Sequence, residues 1–393
     1  MGTKGGAVRL LKTIPTPGNP LVRFDISWVD ADTQLYYLAD RSNKAVDVVD
    51  AKKGTFVKQI HATPAFHGFT TSNNTAGPNG VVVSGKWLFV TDAPHRVVTI
   101  DLTTDTTVCD VSTGITTGGP TDLRADELAY DPQDGIILAV NNADSPPFAT
   151  LISVNKITGA LTVGQRITFD TAHAGFDATN GAEQPVWDPG TGKFYLSIPE
   201  VNCPSSDTRC GGAYPNGGVA RIDPHSTGGV EALFPVSLCQ PAGLTLGPKQ
   251  DLLLGCSQAF DTAGNAWNIL PGPVPDPNSA APISVIMDAV TGNIDKNVAG
   301  VSGNDEVWFN KGDGRYYLAA RNQPGGPVLG IIDAEDQTLV QLVPTINSGP
   351  GSAHSLAVNP QNNQAFVPLP ANNAFPNCLN GCIAVFGVPK EDH

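Results

Sequence analysis

Short apolar runs of four to six residues, each closed by an Asp, Asn or Gly turn, recur along nearly the whole chain. The clearest unit is Asp126-Glu127, then Leu-Ala-Tyr, then the turn Asp131-Pro132, then the run Gly135 to Val140. It returns as Asp305-Glu306-Val-Trp-Phe-Asn310, followed by Gly314 to Ala319, and as Glu183-Gln184-Pro-Val-Trp-Asp188-Pro189. Runs this short, bounded by turn residues and rich in Val, Ile, Tyr and Trp, predict β-strands. Helical periodicity is nearly absent. Self-similarity at roughly 50 residues is the mark of a propeller or a similar array.

Sorting the runs gives seven groups, at 22–61, 79–113, 124–169, 183–238, 241–300, 303–345 and 353–388. The first six each predict four strands and the last only three. The stretch AVRLLK, at 7–12, is an apolar strand with no hairpin partner of its own. It can supply the missing strand, which leaves no open edge where the first and last groups meet. Third strands end in Asp before a Lys/Thr-Gly turn, as in Asp50-Ala51-Lys52-Lys53-Gly54 and Asp288-Ala289-Val290-Thr291-Gly292. Such turns join third and fourth strands as hairpins. The expectation is an all-β, seven-bladed β-propeller forming one domain over residues 1–393, closed by the N-terminal strand. Six or eight blades are the alternatives.

The apolar-Ala-Asp/Asn-Pro turn and the V-x-V-I-D type of third strand resemble the YVTN/NHL and lactonase-like propellers, over nearly the whole chain. The resemblance implies a blade architecture. It does not choose among the lactonases, lyases, metal-dependent hydrolases and non-enzymatic binding proteins built on such folds.

In a propeller the innermost strand of each blade starts beside the central channel. The two positions before each first run are Phe24-Asp25, Asn79-Gly80, Asp126-Glu127, Glu183-Gln184, Ala242-Gly243, Asp305-Glu306 and His354-Ser355. They form a ring with six carboxylates and one His. Like charges near one axis need a cation, an Arg or shared protons. Asp25, Glu127, Glu183, Asp305 and Glu306 are therefore candidate ligands for a divalent metal, calcium before magnesium or manganese, because the donors are oxygens. The rival reading has these acids capping backbone amides or pairing with Arg23, Arg124 or Arg321. His354, Glu127 and Glu306 are the candidate catalytic residues, since a His beside carboxylates is a workable general base or acid. Loop residues Arg321, Arg41, Asn142 and His67 are the candidates for binding substrate. Phe66, Phe69 and Phe176, on the long inter-blade loops, could form a lid of apolar rings; solvated loop decoration is the favoured alternative.

Composition narrows the functional classes. The 393 residues carry a formal net charge of -14, which repels phosphate backbones and argues against a nucleic-acid partner. No apolar run reaches the roughly 18 residues of a membrane span, so no membrane insertion is expected. A small-molecule substrate fits best. GxSxG, HExxH and P-loop motifs are absent. Of the seven Cys, Cys203 with Cys210 and Cys378 with Cys382 are spaced to staple loops, and at least one of Cys109, Cys239 and Cys256 is expected to stay free. Disulfides point to an oxidising compartment, and Met1-Gly2-Thr3 reads as an added start. The expectation is a periplasmic or secreted protein with its signal peptide removed. The functional expectation is a hydrolase-, lactonase- or lyase-type enzyme. The alternative is a non-catalytic secreted propeller that binds a protein or small ligand through its loop face.

Overall fold

The computed structural model describes residues 6–114, 122–203, 216–261, 264, 280–349 and 351–389. Seven four-stranded antiparallel sheets account for almost all regular structure, with a small two-stranded ribbon beside the last of them. Six sheets take their strands in chain order. The innermost strands are Ser27–Asp30, Val81–Ser84, Leu128–Asp131, Pro185–Asp188, Cys239–Leu246, Val307–Asn310 and Ala357–Asn359. Each innermost strand packs against the next, and the seventh packs against the first. The sheets therefore form a closed ring of seven blades, as the repeat spacing predicts.

The seventh blade is completed from the N-terminus. Arg9–Pro15 pairs antiparallel with Cys382–Gly387, from Arg9 opposite Gly387 to Pro15 opposite Cys382. The closing strand thus runs three residues further than the apolar run at 7–12, because backbone pairing continues through Thr13 and Pro15 after the hydrophobic pattern ends.

The core consists of seams between blades. Along a strand, alternate side chains face opposite sides of the sheet. Tyr36 and Leu38 accordingly face blade seven, and Tyr37 and Ala39 face blade two. Blades two and three meet at Phe89, Leu128 and Ile152, and blades three and four at Leu138, Phe194 and Leu196. The remaining seams follow the same rule. Phe66 and Phe176 belong to these seams, buried against blades two and four, and are neither a lid nor solvated decoration. Burying a ring stabilises by about 2 kcal/mol, which a lid open to water would forgo.

Cys378 and Cys382 are disulfide-bonded as the spacing suggests. Cys239 and Cys256 form a second disulfide that the sequence does not announce, joining the first two strands of blade five. Cys109 is the free thiol among the described residues. The pairing expected between Cys203 and Cys210 falls outside the described residues.

Candidate functional site

The hub is built from one backbone pattern repeated around the axis. In blade one, the N–H of Asp25 donates to the carbonyl of Ala39, and the N–H of Ala39 donates to the carbonyl of Ile26. The same two bonds link Asn79 and Gly80 to Thr91, Asp126 and Glu127 to Val140, Glu183 and Gln184 to Ser197, and Asp305 and Glu306 to Ala319. Neighbouring blades are then tied together at the same level. Ile26 N–H donates to Asn79 O at 3.2 Å, Gly80 N–H to Asp126 O at 3.0 Å, Gln184 N–H to Ala242 O at 3.2 Å and Glu306 N–H to His354 O at 3.3 Å.

This pattern corrects the sequence register in one blade. The first ring position holds Asp25, Asn79, Asp126, Glu183, Ala242, Asp305 and His354, and the second holds Ile26, Gly80, Glu127, Gln184, Gly243, Glu306 and Ser355. Blade one therefore contributes Asp25-Ile26, not Phe24-Asp25. The apolar Phe24 hid the shift, because it extends the hydrophobic run backwards. Two second positions are Gly for want of space. A Cβ on Gly80 would lie 2.8 Å from Asp126 O, and one on Gly243 would lie 2.5 Å from Asp305 O.

All six acids and His354 line a single cavity of about 190 Å³, together with Arg23, Arg41, Arg124 and Arg321. The aspartates are partnered. Arg41, 3% exposed, pairs with Asp25 and also donates to Asn79 Oδ1 at 2.7 and 2.9 Å. Arg124 pairs with Asp126 at 2.6 Å and lies 3.8 Å from Asp25, and Arg321 pairs with Asp305 at 3.0 Å. Burial works to raise the Asp25 pKa, but Arg41, His354 and Arg124 together hold it well below the usual carboxylate range. Asp126 is pushed up to about 7, by burial first and by Asp25, against the pull of Arg124 and Arg41.

The glutamates are different. Glu306 is 1% exposed and accepts from Ser355 Oγ at 3.0 Å through Oε2, while Oε1 is buried without a hydrogen bond. The Glu127 carboxyl, 8% exposed, has no hydrogen bond among the described residues. Burial, and then the other acids of the ring, raises both well above the ordinary glutamate value. Glu183 is pushed up to about 8 by burial, Asp126 and Asp305, despite Arg124 and Arg321. Gln184 carries no charge and is structural. Its Oε1 accepts from Leu244 N–H at 2.8 Å and Val307 N–H at 3.3 Å, binding blades four, five and six at the hub.

His354 stacks on Phe24 with ring centres 4.8 Å apart and places Nε2 3.5 Å from Asp25 Oδ1. Its Nδ1 lies 2.8 Å from the Ser352 carbonyl oxygen. A carbonyl can only accept, so Nδ1 carries a proton, and in neutral imidazole Nε2 is left with a lone pair.

Other expected contacts lie elsewhere. His67 is off the cavity: its backbone N–H donates to Asp92, and its ring lies against Gly68 O at 3.2 Å. Asn142 lines a neighbouring pocket of about 930 Å³, which Arg124 and Glu183 also line, and its Oδ1 lies 3.4 Å from Arg124 Nε. Arg41 and Arg321 are at the cavity, each already paired with an Asp. Arg124 is the residue that sequence reasoning weighed only as a possible pairing partner, although its position two residues before Asp126 marks it. Among the described residues, no three His, Cys, Asp or Glu converge in a metal-holding arrangement.

No protein-family model matches the chain, and no curated protein matches it by sequence. In fold the chain is similar to hydrazine synthase of Kuenenia stuttgartiensis, with a TM-score of 0.62 and 13% identity over 91% of this chain and 94% of that one. At that identity the likeness is one of fold.

Proposed function

We propose that this propeller is an enzyme acting on a small polar molecule at the mouth of its central channel, by general acid–base chemistry of the hydrolase, lactonase or lyase kind. The observation that carries this reading is the central cavity where, among the described residues, Glu127, Glu183 and Glu306 have no paired cation while three arginines hold the aspartates. Carboxyls held protonated near neutral pH can donate a proton to a leaving oxygen or nitrogen. His354 takes the opposite role, accepting a proton at Nε2 while Nδ1 is fixed by Ser352. Arg124 and Arg321 stabilise negative charge as it develops on the substrate.

Calcium at this cavity is a further proposal. The oxygen donors suit it in kind, but Arg41 and Arg124 occupy the aspartates that would bind it. Elemental analysis and melting with and without EDTA decide the matter: bound calcium and a lower melting temperature in chelator support it. The YVTN/NHL or lactonase-like kinship is proposed on the turn and strand motifs. An extracytoplasmic location is proposed on two disulfides, with no helix among the described residues long and apolar enough to cross a membrane.

The test of the enzyme reading is a screen of small esters, lactones and carbon–nitrogen lyase substrates with the wild-type protein and His354→Ala. Turnover by the wild type, falling by about a hundredfold or more in the variant at unchanged melting temperature, is expected. Equal rates in both remove His354 from the mechanism. Ligand binding without turnover marks a binding propeller instead.

A further inference from the structure

Six carboxyls and four arginines face one cavity, so with every group ionised and His354 neutral the walls carry two uncompensated negative charges. The donors of these arginines do not satisfy every oxygen of the cavity. Glu306 Oε1 and Asp126 Oδ1 are both buried without a hydrogen bond, in residues 1% and 3% exposed. Arg41 Nη2 lies 3.9 Å from Asp126 Oδ1, beyond hydrogen-bond reach. The Glu127 carboxyl has no hydrogen bond among the described residues and lies among the same acids. An unmet buried acceptor costs about 1–3 kcal/mol, more when charged, so the cavity is poised for whatever brings donors.

The geometry points to a small ligand bearing a protonated nitrogen, an alkylammonium group that donates to Glu306 Oε1 and Glu127 while the rest of the molecule fills the cavity. This assignment rests on the central cavity being the functional site. An ammonium has three N–H donors and no acceptor, which complements the carboxylate forms of Glu306 and Glu127; the proton each otherwise holds is released to solvent as the cation binds. A divalent metal suits the cavity less well, because it needs several carboxylate oxygens converging at about 2.3–2.6 Å. The described residues show no such cluster, and the guanidinium groups of Arg41 and Arg124 already lie against the aspartates. An anionic ligand would meet the arginines, but Arg41, Arg124 and Arg321 are engaged by Asp25, Asp126 and Asp305, and Arg23 lies over the Phe69 ring. Size sets the limit on the ligand. The cavity of about 190 Å³ holds roughly six waters' worth of volume, so the ligand is a short-chain amine and not a peptide or sugar chain.

The experiment uses the full chain and three five- to seven-atom probes of similar length: 1,3-diaminopropane, neutral 1,3-propanediol and the dianion malonate, with calcium chloride alone as a fourth arm. Thermal melts and calorimetric titration are run on the wild type, on Glu306→Gln and on Glu127→Gln. Trp308, two residues along the strand from Glu306 and edge-on to Trp28 at 5.2 Å, supplies a fluorescence signal. Diaminopropane is expected to bind the wild type at least about tenfold more tightly than propanediol, and either variant to lose most of that preference while melting as a folded protein. Equal or tighter binding of propanediol overturns the proposal, as does an amine preference that survives in both variants. Malonate or calcium binding in place of the amine, lost with the same substitutions, also overturns it but leaves the cavity as the functional site. If none of the four perturbs the protein at millimolar concentration, the amine assignment fails and the central-cavity reading loses its support with it.

Discussion

At the scale of single residues, the hub separates acids of similar sequence by what stands beside them. Asp25, Asp126 and Asp305 occupy first ring positions within reach of an Arg, and Glu127 and Glu306 occupy second positions without one. The consequence for pH can be worked out for Glu183. In the fold it keeps its proton up to about pH 8, against a reference value of 4.5. Between those values the folded chain binds more protons than the unfolded one, so this group's contribution to stability is complete below about pH 4.5 and is lost as the pH rises to about 8. Glu183→Gln cannot ionise. Its melting temperature is expected to fall less than that of the wild type across this window, with the two proteins alike in acid. Parallel melting profiles would show that Glu183 is charged throughout. Gln184→Ala is expected to lower stability by about 2 kcal/mol, a few degrees of melting temperature, because two buried amides of neighbouring blades lose their shared acceptor.

At the scale of elements, the seven repeats and most ring positions could be read from the sequence, because period-two burial and Asp/Asn turns leave a strong trace. The register of blade one could not, since Phe24 mimics the start of a strand. Nor could the Cys239–Cys256 bond, because strand pairing, not loop spacing, brings those residues together. The Arg41–Asp25 pair was not legible for a related reason: Arg41 follows the second strand of blade one, and the pairing of that strand with the first sets it beside Asp25. The closing strand makes the strongest prediction here. Removing residues 6–15 strips the partner from Cys382–Gly387 and exposes a long strand edge. Such a truncation is expected to melt many degrees lower and to scatter light on heating. A truncated chain as stable as the full one would mean the ring closes without that strand.

At the scale of the whole molecule, no blade holds the site alone. Its acids come from blades one, three, four and six and its imidazole from blade seven, and the backbone bonds between blades set their spacing. Gly80→Ala tests that dependence without touching a titratable group. Its Cβ would press on Asp126 O, so ligand binding and activity are expected to fall together with stability. Unchanged binding would show that the hub tolerates widening. The net charge of -14 adds a long-range effect: it draws small cations towards the surface, and added salt weakens the attraction.

The inter-blade amide bonds at the axis work like the hoop of a barrel. Loosening any one joint lets the staves spread, and the opening they share changes shape before any stave comes apart. Mild heating or denaturant should therefore extinguish the chemistry of the opening while circular dichroism still reports intact sheets. Loss of function ahead of loss of strands is the behaviour that a centre assembled from many blades produces.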